Sequence, residues 1–206
     1  FEDITQKARV AGKSDFCSGV TMADVNGDGL LDIYVSSVTK IYKLQGGNQL
    51  FINQGNNTFK DETKAYGLNV SGTIVQSAFF DYDHDGDLDC FILSMSLRKN
   101  FPIPMVNARY KTDTLFKSLL LKNNLSEGKK VFTDVTKEAG IYQSNISYGL
   151  GISVADINND GWEDIYIGND FYESDYYYIN NKNGTFIEEG RKHFEHFSQF
   201  SMGNDM

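Results

Sequence analysis

The sequence predicts an all-β protein assembled from repeated four-stranded units. Three observations carry this reading. The apolar runs are short and rich in Tyr, Phe, Ile and Val, and Gly and Asn interrupt them every few residues. An acidic loop recurs three times in 206 residues, each time between two such runs. Behind each loop comes a strand ending in Asn, a turn, and a further strand opening near a Phe.

The elements follow in order. "FEDIT" at Phe1 matches the fourth strands at Phe59 and Phe132, so residues 1–13 read as the last strand of a preceding unit. The first full unit spans approximately 17–64: "GVTMAD", an acidic loop, "LDIYVSS", "NQLFIN", the turn "QGNNT" and "FKDET". The second spans 74–137: "QSAFFD", a loop, "LDCFILS", "SLLLKN", the turn "NLSEGKK" and "VFTDVT". The third spans 148–190: "GISVAD", a loop, "EDIYIGN", "YYYIN", "NKNGT" and "FIEEG". Asn-Gly and Gly-Asn pairs suit tight turns that need φ > 0. Residues 198–206 read as the start of a next unit.

Four-stranded units repeated on this scale are the signature of β-propeller blades, and one blade cannot bury both its faces without neighbours. Three blades and two fragments do not close a ring, which needs about 4–8. The expectation is therefore about three blades of a longer protein. The second unit also carries a long insertion, residues 94–118, which holds both prolines. Arg98, Lys99, Arg109, Lys111 and Lys117 face a single acid there, Asp113. This basic segment is either a contact surface, with Arg98, Lys99, Arg109 and Lys111 as partner-binding residues, or a loop packed on the next blade.

The acidic loops carry the chemistry. They run Asp24–Asp32, Asp81–Asp89 and Asp156–Asp164. Positions 1, 3, 5 and 9 are Asp24, Asn26, Asp28 and Asp32; then Asp81, Asp83, Asp85 and Asp89; then Asp156, Asn158, Asp160 and Asp164. Position 6 is always Gly, and position 7, able to offer its carbonyl, is Leu30, Asp87 or Trp162. Hard cations take oxygen ligands, calcium 6–8 of them, whereas magnesium keeps its waters, so the expected cofactor is Ca2+ at three sites. An EF-hand would need Glu at position 12 between helices, but Val35, Ile92 and Ile167 stand there inside β-runs. Metal-free acidic turns are the alternative, but four aspartate charges in one turn repel unless a cation offsets them.

Composition bounds the rest. The formal net charge of −9 argues against nucleic acid, and three divalent ions would offset six of those charges. No apolar run approaches the ~20 residues of a membrane span. Cys17 and Cys90 lack metal-like spacing and are expected as buried free thiols rather than a disulfide.

"DVNGDGLLDIYV", "DYDHDGDLDCFIL" and "DINNDGWEDIYI" resemble the FG-GAP/VCBS repeats of integrin-like β-propellers. "LFINQGNNTFKDET", "FTDVTKEAGI" and "YYYINNKNGTF" bring the chain nearer still to bacterial VCBS-repeat proteins with an ASPIC/UnbV-type region, which itself has no counterpart here. The resemblance covers essentially the whole chain. It implies a propeller, usually seven-bladed, with calcium in hairpin loops, and an exported protein at the cell surface or outer membrane.

Catalytic constellations are lacking. His84 lies within a loop, His193 and His196 lack companions for zinc, and the loops already use most paired carboxylates. Asn169 to Tyr172 read as a plain turn, or as residues lining the blade top. Alternating tyrosines in "FYESDYYYIN" serve packing or sugar stacking. Five Asn-x-Ser/Thr triplets, at Asn56, Asn69, Asn124, Asn145 and Asn183, fit chance in an Asn-rich chain. The expectation is a non-catalytic, calcium-stabilised extracellular module. It would recognise a surface protein complex or a glycan, alongside the remaining blades of the same longer protein. The alternatives are a polysaccharide lyase or hydrolase domain on the same fold, and an architectural subunit of a surface or export complex.

Overall fold

The computed structural model describes residues 1–97 and 107–204. Among these residues twelve strands form three four-stranded antiparallel sheets, consistent with propeller blades. The first holds β1 (Cys17–Ala23), β2 (Asp32–Ser37), β3 (Gln49–Asn53) and β4 (Phe59–Asp61). The second holds β5 (Ile74–Phe80), β6 (Asp89–Ser94), β7 (Leu119–Asn123) and β8 (Phe132–Asp134). The third holds β9 (Gly149–Ala155), β10 (Asp164–Asn169), β11 (Tyr176–Asn180) and β12 (Phe186–Glu188). Among the described residues helix is limited to α1 (Thr5–Ala8), α2 (Gly190–His193) and a 3-10 turn at Ala108–Tyr110.

Each sheet is an up-and-down meander in sequence order. The register repeats as well: Asn53, Asn123 and Asn180 pair with Phe59, Phe132 and Phe186. The first strands of successive sheets lie side by side, tied by Ser18 Oγ donating to Ile74 O (2.7 Å) and Thr21 Oγ1 to Ser77 O (2.6 Å).

Two apolar seams lie between the sheets. Tyr34, Leu50, Ile52 and Leu68 meet Cys90, Ile92, Leu119 and Leu121 in one. Phe91, Leu93 and Leu120 meet Ile165, Ile167, Tyr176 and Tyr178 in the other. Alternate residues of β6 thus serve opposite seams, as the period of two requires, and all four are fully buried. Each such aliphatic or aromatic side chain contributes about 1.5–3 kcal/mol.

The outer sheets differ. Residues 194–204 lie on the third sheet: Phe194 packs edge-on against Tyr166 at 5.7 Å, and Asn204 Nδ2 donates to Tyr166 O. An antiparallel bridge joins Asp170 to Phe200, matching Val38–Thr73 and Met95–Tyr148 between the other sheets. A Cβ on Gly151 would lie 3.0 Å from Asn204 N, and one on Gly19 would lie 2.9 Å from Val75 O, so both glycines admit a neighbouring backbone segment. Phe1–Asp3, expected as a strand, pair with none among the described residues. Asp3 Oδ1 nevertheless accepts the Thr5 N–H at 2.9 Å, the same Asp-x-Thr turn as at Asp61 and Asp134. Cys17 and Cys90 are both free, but Cys17 is exposed rather than buried, because nothing described covers that side of β1.

Candidate metal centres

All three acidic loops join the first and second strands of a sheet, so one local fold is written three times. The position-1 aspartate organises it. Asp24 Oδ1 and Oδ2 accept the N–H groups of Asp28 and Gly29 at 3.0 and 2.8 Å. Asp81 does the same for Asp85 and Gly86, and Asp156 for Asp160 and Gly161. The position-5 aspartate then accepts the position-7 N–H: Leu30, Asp87 or Trp162. Gly29, Gly86 and Gly161 sit at φ +83°, +92° and +87° with open space around them, so conformation rather than crowding demands glycine. Position 4 is left-handed too, at Gly27, His84 and Asn159.

The position-9 aspartate is fully buried in every loop. Asp32 accepts the N–H groups of Val25 and Asn53 at 3.0 and 2.8 Å, and Asp89 those of Tyr82 and Asn123 at 3.2 and 2.8 Å. Asp164 accepts the Asn180 N–H at 2.9 Å and the Tyr177 hydroxyl at 3.0 Å. It therefore straps the loop to the third strand. Burial raises the carboxyl pKa of all three. For Asp89 the rise reaches about 8, with the charges of Asp83 and Asp85 adding to burial against the Asn123 and Tyr82 N–H groups. A cation among these carboxylates reverses that penalty.

The second loop is drawn tightest. One carboxylate oxygen each of Asp81, Asp83 and Asp89 lie within 4.8 Å of one another, the one such group among the described residues. Oxygens at about 2.3–2.6 Å from one calcium ion stand at most about 5 Å apart, so the spacing fits. Asp83 Oδ1 is buried without a hydrogen-bond partner, an acceptor aimed at nothing in the chain. In the first loop Asn26 Nδ2 donates to Asp28 Oδ2 at 2.9 Å.

Sequence reasoning missed three features here. Lys122 on β7 reaches the second loop, contacting Asp83 Oδ2 and lying 2.9 Å from Asp85 Oδ2. Burial alone would raise the Asp85 pKa, but Lys122, the Asp87 N–H and Ser126 hold it below the usual carboxylate range. A lysine ending the apolar run "SLLLKN" was the available signal. Neighbouring loops also touch: His84 stacks on Trp162 at 3.8 Å, and its Nε2 lies 3.2 Å from Glu163 Oε2. The third-strand asparagines bridge sheets as well, Asn123 Nδ2 donating to Val25 O and Asn180 Nδ2 to Tyr82 O.

The insertion is placed only in part. Arg98 and Lys99 lie outside the described residues. Arg109 is 13% exposed and engaged inward, 2.5 Å from Glu173 Oε1 and 3.2 Å from Glu188 Oε2, above the Tyr142 and Tyr176 rings. Lys111 is exposed, although the Asn145 N–H donates to its backbone oxygen. The Thr112–Ser144 bridge pins this stretch to the start of the third unit. Beside it, Tyr110 and Tyr172, 62% and 60% exposed, border a cavity of about 360 Å³ with Arg109, Glu173, Ser174 and Arg191. Tyr176 and Tyr178 fill the second seam, while Tyr177 turns the other way, toward Asp164 and His193.

Residues 41–92 match the model of an FG-GAP-like repeat, and residues 148–183 that of an FG-GAP repeat. The chain therefore carries FG-GAP-type, β-propeller-like repeats. No curated protein matches it. Among solved structures it is similar, at 21% identity and a TM-score of 0.40, to one described as the specific recognition of non-reducing terminal N-acetylglucosamine by an Agrocybe aegerita lectin. That match covers 81% of this chain and 36% of the other, so the chain spans just over a third of that structure's length. Among the described residues no helix is long and apolar enough to cross a membrane.

Proposed function

We propose that this chain is a non-catalytic binding module whose hairpin loops are locked by calcium. The supporting observation is the repeated loop geometry together with the orphaned Asp83 Oδ1 inside the tightest cluster. The ligands would be the side chains of Asp24, Asn26, Asp28 and Asp32, of Asp81, Asp83, Asp85 and Asp89, and of Asp156, Asn158, Asp160 and Asp164. The carbonyls of Leu30, Asp87 and Trp162 would join them. Bound calcium supplies positive charge where buried carboxylates converge, so its binding free energy becomes folding free energy. The chain's own contribution is to hold positions 1 and 5 by backbone N–H bonds, and position 9 by the third strand.

On this scaffold the surface around residues 107–118 presents the exposed Tyr110, Lys111 and Tyr172 to a surface protein or a glycan. The setting is extracellular, of the kind the VCBS-type resemblance implies, at a bacterial outer membrane and beside further blades of the same protein. Titration calorimetry with calcium, and melting curves with and without excess chelator, test the metal reading. Chelation is expected to lower the melting temperature by ten degrees or more; an unchanged curve removes calcium. For recognition, Tyr110→Ala with Tyr172→Ala should abolish retention on immobilised glycans or surface extract at an unchanged melting temperature.

A further inference from the structure

The three repeats differ at two coupled positions. Loop position 3 is Asn26 and Asn158 in the outer units and Asp83 in the central one. The third-strand residue just before the paired asparagine is Ile52 and Ile179 in the outer units and Lys122 in the central one. The position-3 acid and the third-strand base occur together, and they touch; the loop's other added acid, Asp87 at position 7, instead accepts the Ser126 N–H. Lys122 is only 22% exposed on its side chain, Asp83 16%, and the same ammonium also reaches Asp85. The exposed Lys182 of the third unit approaches Asp160 differently, from the turn after β11, donating to its backbone oxygen at 3.2 Å and lying 3.4 Å from Oδ2.

We propose that Lys122 is the resident counter-cation of the second loop. It neutralises the additional carboxylate of Asp83 and so lowers that loop's affinity for a divalent cation toward that of its siblings. The inference rests on the calcium reading above. Position 3 as Asp raises the negative charge at the site by one, and an ammonium in contact with it at partial burial cancels that charge. The Asn–Ile and Asp–Lys pairs are thus two solutions with the same local charge. The second is also stable without metal, because the lysine answers part of the carboxylate repulsion that a bare loop suffers.

A double-mutant cycle tests this in the whole chain, with Lys122→Ile, Asp83→Asn and the double variant, which gives the second unit its siblings' residues at these two positions. Calcium titration calorimetry is expected to show one site tightened about tenfold or more in K122I, one weakened by a similar factor in D83N, and the double variant within about threefold of wild type. In excess chelator, K122I should melt several degrees below wild type and the double variant should recover most of that loss. Lys122→Gln, which keeps a polar head, serves if the isoleucine variant misfolds. Lys182→Ala should leave all calcium affinities within about twofold. The proposal is overturned if K122I leaves the titration and the metal-free melting temperature unchanged, or if the double variant melts in excess chelator no higher than K122I. A wild-type protein that ignores calcium overturns the calcium reading instead, and the metal-free melting temperatures then decide the role of Lys122 alone.

Discussion

In the central sheet β6 buries Cys90, Phe91, Ile92 and Leu93 completely, whereas β1 of the first sheet leaves Val20 and Met22 at 67% and 54% exposure. β1 is a first strand holding Ser, Gly and Thr and β6 a second strand with four successive apolar residues, but that difference does not by itself leave Val20 and Met22 in solvent. Coverage does: β6 has a sheet on each side, and β1 has one. A propeller-like unit draws its stability from its neighbours more than from itself. The sharpest contrast is therefore Phe91→Ala against Met22→Ala in urea denaturation. The first should cost about 3–5 kcal/mol through an unfilled cavity, the second no more than about 0.5 kcal/mol. Equal costs would break the comparison and show that something else covers the first sheet.

The same contrast divides two of the described cations of the insertion. Arg109 is enclosed by Glu173 and Glu188, whose side chains are 4% and 5% exposed, while Lys111 is exposed. Arg109→Ala would strand two buried carboxylates and should cost about 3 kcal/mol. Lys111→Ala should stay within about 0.5 kcal/mol. Thermal denaturation of both variants checks the pair, and a mild Arg109→Ala would mean that the insertion does not dock on the third sheet.

These differences mark where the sequence was legible. Strand order and loop position followed from repetition, because Asp24, Asp81 and Asp156 each head the same nine-residue pattern. What singles out one copy did not follow. Repetition describes what copies share, whereas the burial of Arg109, the reach of Lys122 and the exposure of Cys17 depend on which sheet lies next door. The tail shows the same limit. "FSQFSMGND" carried a strand signal, but that Asn204 would meet Gly151 was a property of stacking.

The third-strand asparagines sharpen the comparison at a finer scale. Asn123 Nδ2 donates both to Leu88 O in its own sheet and to Val25 O in the first, and the residue is 1% exposed. Among the described contacts Asn53 Nδ2 donates only to Leu31 O of its own sheet, near solvent, and its Oδ1 accepts the local Gly55 N–H. Asn123→Ala should therefore cost about 1–3 kcal/mol, having left buried carbonyls unpaired, and Asn53→Ala about 1 kcal/mol or less. Hydrogen exchange adds a local readout: opening of the first seam at Val25 should accelerate in the Asn123 variant alone.

The smallest expected effect is electrostatic and belongs to the open first sheet. Asp61 Oδ1 accepts the Thr63 N–H and hydroxyl, while Oδ2 accepts Lys13 Nζ at 2.9 Å and Gln49 Nε2 at 3.2 Å. Burial alone would raise its pKa, but these donors together hold it at about 2. A carboxyl with a depressed folded-state pKa adds stability that is fully present above the unfolded value of about 4 and is lost as pH falls through about 2. Lys13 is 76% exposed, so solvent screens the pair and the contribution stays near 0.5 kcal/mol. Between pH 4 and pH 2, Asp61→Asn should flatten the fall in stability by that small amount. Salt at about 1 M should shrink the difference further, because the ammonium sits outside the seam. A pH profile unchanged by the substitution would show that the Asp-x-Thr turn in the first sheet is held by its backbone alone.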